Sequence, residues 1–171
     1  MSAPSSCSIE PRPSARVLEF IAFQWPPGAF DAAAWPCAPG AVLRDAAQQP
    51  RLLHFSPGRW LLPAPTPKLA AQLDAATRAG LGVTIDASGK WERLDIVGPG
   101  AARLLACAIE IHGVLEGRDC AAVRLFDCPA VVARVQHGYA VWVQASYVGD
   151  FLATAGRFRA TLGGHQEPAR T

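Results

Sequence analysis

His112 lies in the string Ala108-Ile109-Glu110-Ile111-His112-Gly113, two residues after Glu110. An imidazole titrates near neutrality, so this pair is a candidate general base or metal ligand. The commoner role for such a residue is a structural histidine or a partner contact. Asp86, Glu92, Arg93 and Asp95 flank one turn. Paired carboxylates can do acid–base work, and in a sheet they also serve as cross-strand ion pairs on the polar face. Trp60, Trp91 and Trp142 recur at related places, as a ligand-stacking wall or as core. The string VGPGAA has two glycines, but Pro99 inside it favours a helix start at Gly98 over a phosphate cradle. His54 and His137 read as structural or solvated, and His165 as part of a tail. The nucleophile-elbow, zinc-protease, phosphate-loop and dinucleotide patterns are absent.

These residues must be positioned by regular elements, and those begin at residue 51. Arg51 to Phe55 and Arg59 to Pro63 flank Ser56-Pro57-Gly58, a hairpin signature. Thr66-Pro67 opens a helix, with threonine as the cap and proline at the first helical position. Leu69 and Leu73 share its inner face, and Gly80 stops it. Leu81 to Asp86 and Trp91 to Val97 read as a second hairpin around Ser88-Gly89, followed by a helix from Gly98 to about Ala108. Ala121 to Phe126, Val131 to Gln136 and Tyr139 to Gln144 read as three strands. Ser146 is the expected cap of a last helix carrying Phe151 and Leu152.

The units repeat. Gly58 to Thr66 and Gly138 to Ser146 are each eight residues, a weak period of about 80. The expected class is α+β, with antiparallel sheets built from hairpin–helix units. The expected layout is a mobile tail over residues 1–16, one α+β domain over 17–162 with two similar halves, and a second tail over 163–171.

Composition narrows the function. The chain has 171 residues, half of them apolar and 18% charged, with a net charge of +2. That excludes disorder and leaves little charge to cover the surface, as on a chain with a partner face. Only Lys68 and Lys90 are lysines and the arginines are scattered, so no basic stripe marks a nucleic-acid binder. No apolar run reaches the ~18 residues of a membrane helix, and no signal sequence opens the chain. Five cysteines without a CxxC pair argue for free thiols in a reducing cytoplasm. Twelve of the 15 prolines fall in residues 1 to 67. Among them stand Trp25, Phe30 and Trp35, aromatic residues too apolar for a free linker. With His112, they are the partner-contact candidates.

Four segments in register resemble a known family. HFSPGRWLLPAP is similar to a GPDEWL-type hairpin. VTIDASGKWERLDIVGPGAARLLA is similar to a VDVS…RTTLELSGPxAxxvLA block. AIEIHGVLEGRDCAAVRLFDCPAVVARV resembles CxLDLHxxxFxxGxCxxTxLAxxxVxL, and YAVWVQASYVGDFLATA resembles YxLxVxRSYAxYLxxxL. Together, from about Leu52 to Ala155, they resemble the gamma subunit of heterotetrameric sarcosine oxidase.

The resemblance implies a fold like part of the folate-binding aminomethyltransferase (T-protein) superfamily. It implies a non-catalytic subunit in a complex that oxidatively demethylates sarcosine to glycine, forming hydrogen peroxide and methylenetetrahydrofolate. The partners implied are alpha, beta and delta subunits, which would hold FAD, FMN, NAD, zinc and tetrahydrofolate, with no cofactor in this chain. The departures are specific. GPDEW is Ser56-Pro57-Gly58-Arg59-Trp60 here, the NRT-like segment is Gly89-Lys90-Trp91-Glu92-Arg93, and the RSYA-like segment is Ala145-Ser146-Tyr147-Val148. They leave open a paralogous oxidase of another N-methyl amine. A stand-alone folate-binding protein is a further alternative, with Asp86, Glu92 or Asp95 as the pterin carboxylate, as is an independent enzyme built on His112 and Glu110.

Overall fold

The apolar runs of the chain are too continuous for one-sided strands. RLLHF, RWLL, AVVA and AVWV place large side chains on both faces, so each strand needs cover on both sides. The computed structural model, which describes residues 6–13, 16–23, 35 and 38–164, shows how this is met. Two five-stranded antiparallel sheets stack face to face, and helices cover the outer face of each.

The strands are β1 (Ser8–Arg12), β2 (Val17–Ala22), β3 (Val42–Arg44), β4 (Pro50–Ser56), β5 (Arg59–Pro63), β6 (Gly82–Asp86), β7 (Trp91–Val97), β8 (Cys120–Leu125), β9 (Cys128–Val135) and β10 (Gly138–Gln144). The helices are α1 (Pro67–Arg78), α2 (Ala101–Ala106), the single turn α3 (Ile111–Val114) and α4 (Val148–Gly164). One sheet runs β1-β7-β10-β9-β8, and the other runs β3-β4-β5-β2-β6.

Strand alternation divides the core into three layers. Leu53, Leu61, Val131, Ala133, Ala140 and Trp142 meet between the sheets. Their neighbours Leu52, Trp60 and Leu62 turn outward onto Leu69, Leu73 and Ala76 of α1. Val132, Val141 and Val143 turn outward toward Leu104, Leu105, Ile111 and Phe151 of the other helices. Each fully buried side chain of this size contributes roughly 1.5–3 kcal/mol, so losing either cover would be severe.

Local signals position the ends. The Thr66 hydroxyl accepts from the Leu69 N–H at 3.3 Å, capping α1 as expected. Gly138 opens β10 at φ +152°, and a Cβ there would collide with the Ile96 carbonyl oxygen.

The α+β class with antiparallel sheets matches the sequence reading, and several details correct it. Ser8–Arg12 is not tail: it pairs in register with Val97–Arg93 of β7 as an edge strand. Its alternation is too short and proline-broken to register as a strand in the sequence. The last helix runs to Gly164, past the expected boundary at 162. Leu81 to Val97 is not a hairpin, because β6 belongs to one sheet and β7 to the other. Residues 87–90 form a corner, with Ala87 N–H on the Val17 carbonyl at 2.9 Å and Lys90 N–H on Ala87 at 2.9 Å. Ser146 is not a helix cap: it lies within a 3₁₀ turn, Ala145–Tyr147, that leads into α4. Gly98-Pro99 is a turn, and α2 begins at Ala101.

The repeat exists at the level of elements. β2-β3-β4-β5-α1 and β7-β8-β9-β10-α4 are laid out alike, and β1 sits beside β7 where β6 sits beside β2. The residue register read from spacing is wrong, however. Trp60 faces α1, whereas Ala140, 80 positions later, faces the other sheet. A slip of one residue inverts every side chain of a strand.

Candidate functional site

The chain crosses from one sheet to the other between β1 and β2 and again between β6 and β7. Polar residues enter the inter-sheet layer near these crossings, and they form two clusters.

The first lines a cleft of about 470 Å³ between the sheets. Arg12 of β1, Arg93 and Asp95 of β7 and Trp142 of β10 come from one sheet; Arg51 of β4 and the adjoining Gln49 come from the other side. Asp95 is 6% exposed. Its Oδ1 accepts from Arg93 Nε at 2.8 Å, and its Oδ2 accepts from Arg12 Nε at 3.0 Å and Arg93 Nη2 at 3.2 Å. Arg93 Nη2 also donates to Gln49 Oε1 at 2.8 Å, joining the two walls. The Arg93 guanidinium lies over the Trp142 ring at 5.4 Å. Arg51 is held from behind by Asp45, with Nη2–Oδ2 2.7 Å and Nε–Oδ2 2.9 Å. A backbone hydrogen bond from Gln49 and the nearby Arg51 hold the Asp45 carboxyl below its ordinary range.

The second cluster centres on Glu19 of β2, 2% exposed. It accepts from Lys90 Nζ at 2.7 Å and from the Trp91 indole N–H, and it pairs with Arg59 at 3.2 Å. Burial pushes its carboxyl up. The hydrogen bonds from Lys90 and Trp91 and the charges of Lys90 and Arg59 more than reverse this, so the carboxyl sits below its ordinary value. Both clusters surround a buried carboxylate with guanidinium or ammonium partners, and in the second these partners favour the ionised form of Glu19.

The expected residues separate. Asp86 is exposed in the β3-to-β6 sheet, its carboxyl lowered first by hydrogen bonds from Ser88 and then by Arg16, whereas Asp95 is buried in the other sheet. They are no acid–base pair. Glu92 is offset by one residue from Arg93 and so faces away from the cleft. Trp91 and Trp142 join the inter-sheet core, and Trp60 the α1 layer, so the three indoles make no common wall.

Glu110 does not orient His112. Its carboxylate accepts from the Gly113 N–H and caps α3, while His112 is exposed. His54 is buried and stacks on its cross-strand partner Trp60, with centroids 4.2 Å apart. The His137 carbonyl accepts from the Gly98 N–H in the turn before β10. Trp35 is 1% exposed, edge-on to Phe20 and Trp60 at 5.9 and 6.0 Å. It belongs to the core rather than to a contact surface. Trp25 and Phe30 lie outside the described residues.

Sequence reasoning missed Glu19, Arg12 and Arg51. Glu19 breaks the apolar string VLEFIA and reads as a routine polar-face residue. Arg12 sits in a strand whose pairing partner, β7, is some 80 residues away, and Arg51, though in a local hairpin, meets Arg12 and Arg93 only once the two sheets stack.

Among the described residues, no group of three or more metal-ligating side chains occurs. Cys7, Cys107, Cys120 and Cys128 are free thiols, and Cys37 lies outside the described residues. Burial, with Asp119 beside it, pushes the Cys120 thiol up to about 12. Among the described residues, no helix is long and apolar enough to cross a membrane.

No protein-family model matches the chain, and no curated protein matches it. Among solved structures, it is similar to a chain of the heterotetrameric sarcosine oxidase from a Corynebacterium species, determined in complex with pyrrole 2-carboxylate. The identity is 20%, the TM-score is 0.79, and the match covers 97% of this chain and 90% of that chain. At this identity the likeness establishes a shared fold. A protein of unknown function from Vibrio cholerae, described as a possible transport protein, aligns over 91% of each chain at 18% identity, but its TM-score of 0.34 is not a fold match.

Proposed function

We propose that this chain is a non-catalytic, gamma-type subunit of a heterotetrameric sarcosine-oxidase-like complex. The carrying observation is a fold match over nearly the whole of both chains to a chain of such an enzyme. The four in-register sequence segments and the two carboxylate clusters, each locked in ion pairs, support a building role rather than a reaction centre.

In this reading the chain docks in the cytoplasm with alpha, beta and delta partners. The complex converts sarcosine, oxygen and tetrahydrofolate to glycine, hydrogen peroxide and methylenetetrahydrofolate. FAD, FMN, NAD, zinc and tetrahydrofolate are assigned to the partners. The substitutions in the GPDEW- and RSYA-like segments favour, as a second reading, the same role in an oxidase of a related N-methyl amine.

The test is affinity capture of the tagged chain from its native cells, with a visible spectrum and a peroxide assay of the eluate. A yellow complex containing a large flavoprotein and forming peroxide from sarcosine supports the reading. Peroxide from another N-methyl amine alone supports the second. A colourless, lone 18.1 kDa chain overturns both, and saturable folate binding by that chain would then support a stand-alone folate-binding protein.

A further inference from the structure

We propose that the cleft between the sheets is a binding site for a small organic anion bearing two or more carboxylates. Arg12 of β1 and Arg93 of β7 are direct register partners across their ladder. Like charges placed opposite one another in a sheet are destabilising. Arg51 of β4 brings a third guanidinium to the same cleft. Asp95 is the one carboxylate among the described lining residues, and it is shared between Arg12 and Arg93.

The other counter-charges stand outside the cleft. Glu10 meets Arg12 in an exposed pair, which is weak in water. Asp45 takes Nε and Nη2 of Arg51, leaving Nη1 only a 3.4 Å contact with the Ala64 carbonyl. Among the described residues, Nη1 of Arg12 and of Arg93 makes no hydrogen bond. Guanidinium edges thus come from both walls, and planar carboxylates fit such forks. Val17, Pro63 and Trp142 supply apolar wall for a short carbon skeleton. The 470 Å³ volume lies within the ~300–1,000 Å³ of small-molecule sites.

The site is independent of the subunit reading and is tested directly. The full chain is titrated calorimetrically with succinate and citrate, with acetate as the single-carboxylate reference. The expected result is saturable one-to-one binding of a polycarboxylate, about tenfold or more tighter than acetate, because a second charge-assisted contact forms. Arg51→Gln and Arg12→Gln should each weaken it by about tenfold while circular dichroism remains unchanged. These two are chosen because Arg93→Gln would remove two of the three hydrogen bonds to Asp95 and the bridge to Gln49, whereas Arg12→Gln leaves both Arg93 contacts with Asp95 in place. Two outcomes overturn the site: no saturable binding of either polycarboxylate by the folded chain, or binding that both variants leave unaltered.

Discussion

The indole N–H of Trp91 donates to the carboxylate of Glu19, tying β7 of one sheet to β2 of the other. The bond lies at the corner where the chain leaves one sheet for its neighbour, beside Lys90. Glu19→Ala leaves the indole N–H and two cations without their shared acceptor, although Lys90 and Arg59 can still reach water. The expected loss is roughly 2–4 kcal/mol, read as a lower urea midpoint. Glu19→Gln keeps an acceptor for Trp91 and should lose less.

The same residue sets an acid limit. The folded Glu19 carboxyl lies below its ordinary value of 4.5. A depressed carboxyl stabilises the fold above the unfolded value, and that contribution disappears as pH falls through the folded one. Urea midpoints measured from neutrality downward should therefore drop below about pH 4.5. Asp45 and Asp86 are lowered too, so the comparison is with Glu19→Gln, whose curve should fall less steeply.

Trp35 makes a sharper choice between core and surface. Wedged against Phe20 and Trp60, it should cost about 3–5 kcal/mol when cut to alanine. A urea midpoint unchanged by Trp35→Ala would place the residue on a contact surface instead.

The thiols should react in a fixed order. Cys107 is exposed, whereas the Cys120 thiol is buried and raised to about 12. Iodoacetamide at mildly alkaline pH should label Cys107 in the native chain and reach Cys120 only after urea is added, as mapped by mass spectrometry.

What was legible in the sequence was local. Ser56-Pro57-Gly58 between apolar runs gave away the β4–β5 hairpin, and Thr66-Pro67 gave away α1, because turn and cap chemistry act over a few residues. Ser88-Gly89 did not distinguish a hairpin from a corner, since both need a tight reversal and only the destination of the strands differs. The partners of Glu19 were hidden for the same reason: Lys90 and Trp91 come 71 and 72 residues later. The Arg12–Asp95 contact spans 83 residues. Such pairs are decided by sheet register, which spacing alone misplaced by one residue in the repeat.

The position of β1 has a consequence for how the molecule is made. The strand that completes the β7-to-β8 sheet leaves the ribosome before β2, and its partner follows after some 80 residues of other structure. By then β2 to β6 can already have closed their own sheet. Ser8–Arg12 must wait, unpaired, until Trp91–Val97 appears. Moving β1 behind α4 by circular permutation would let the second half assemble from contiguous chain, as the first half does.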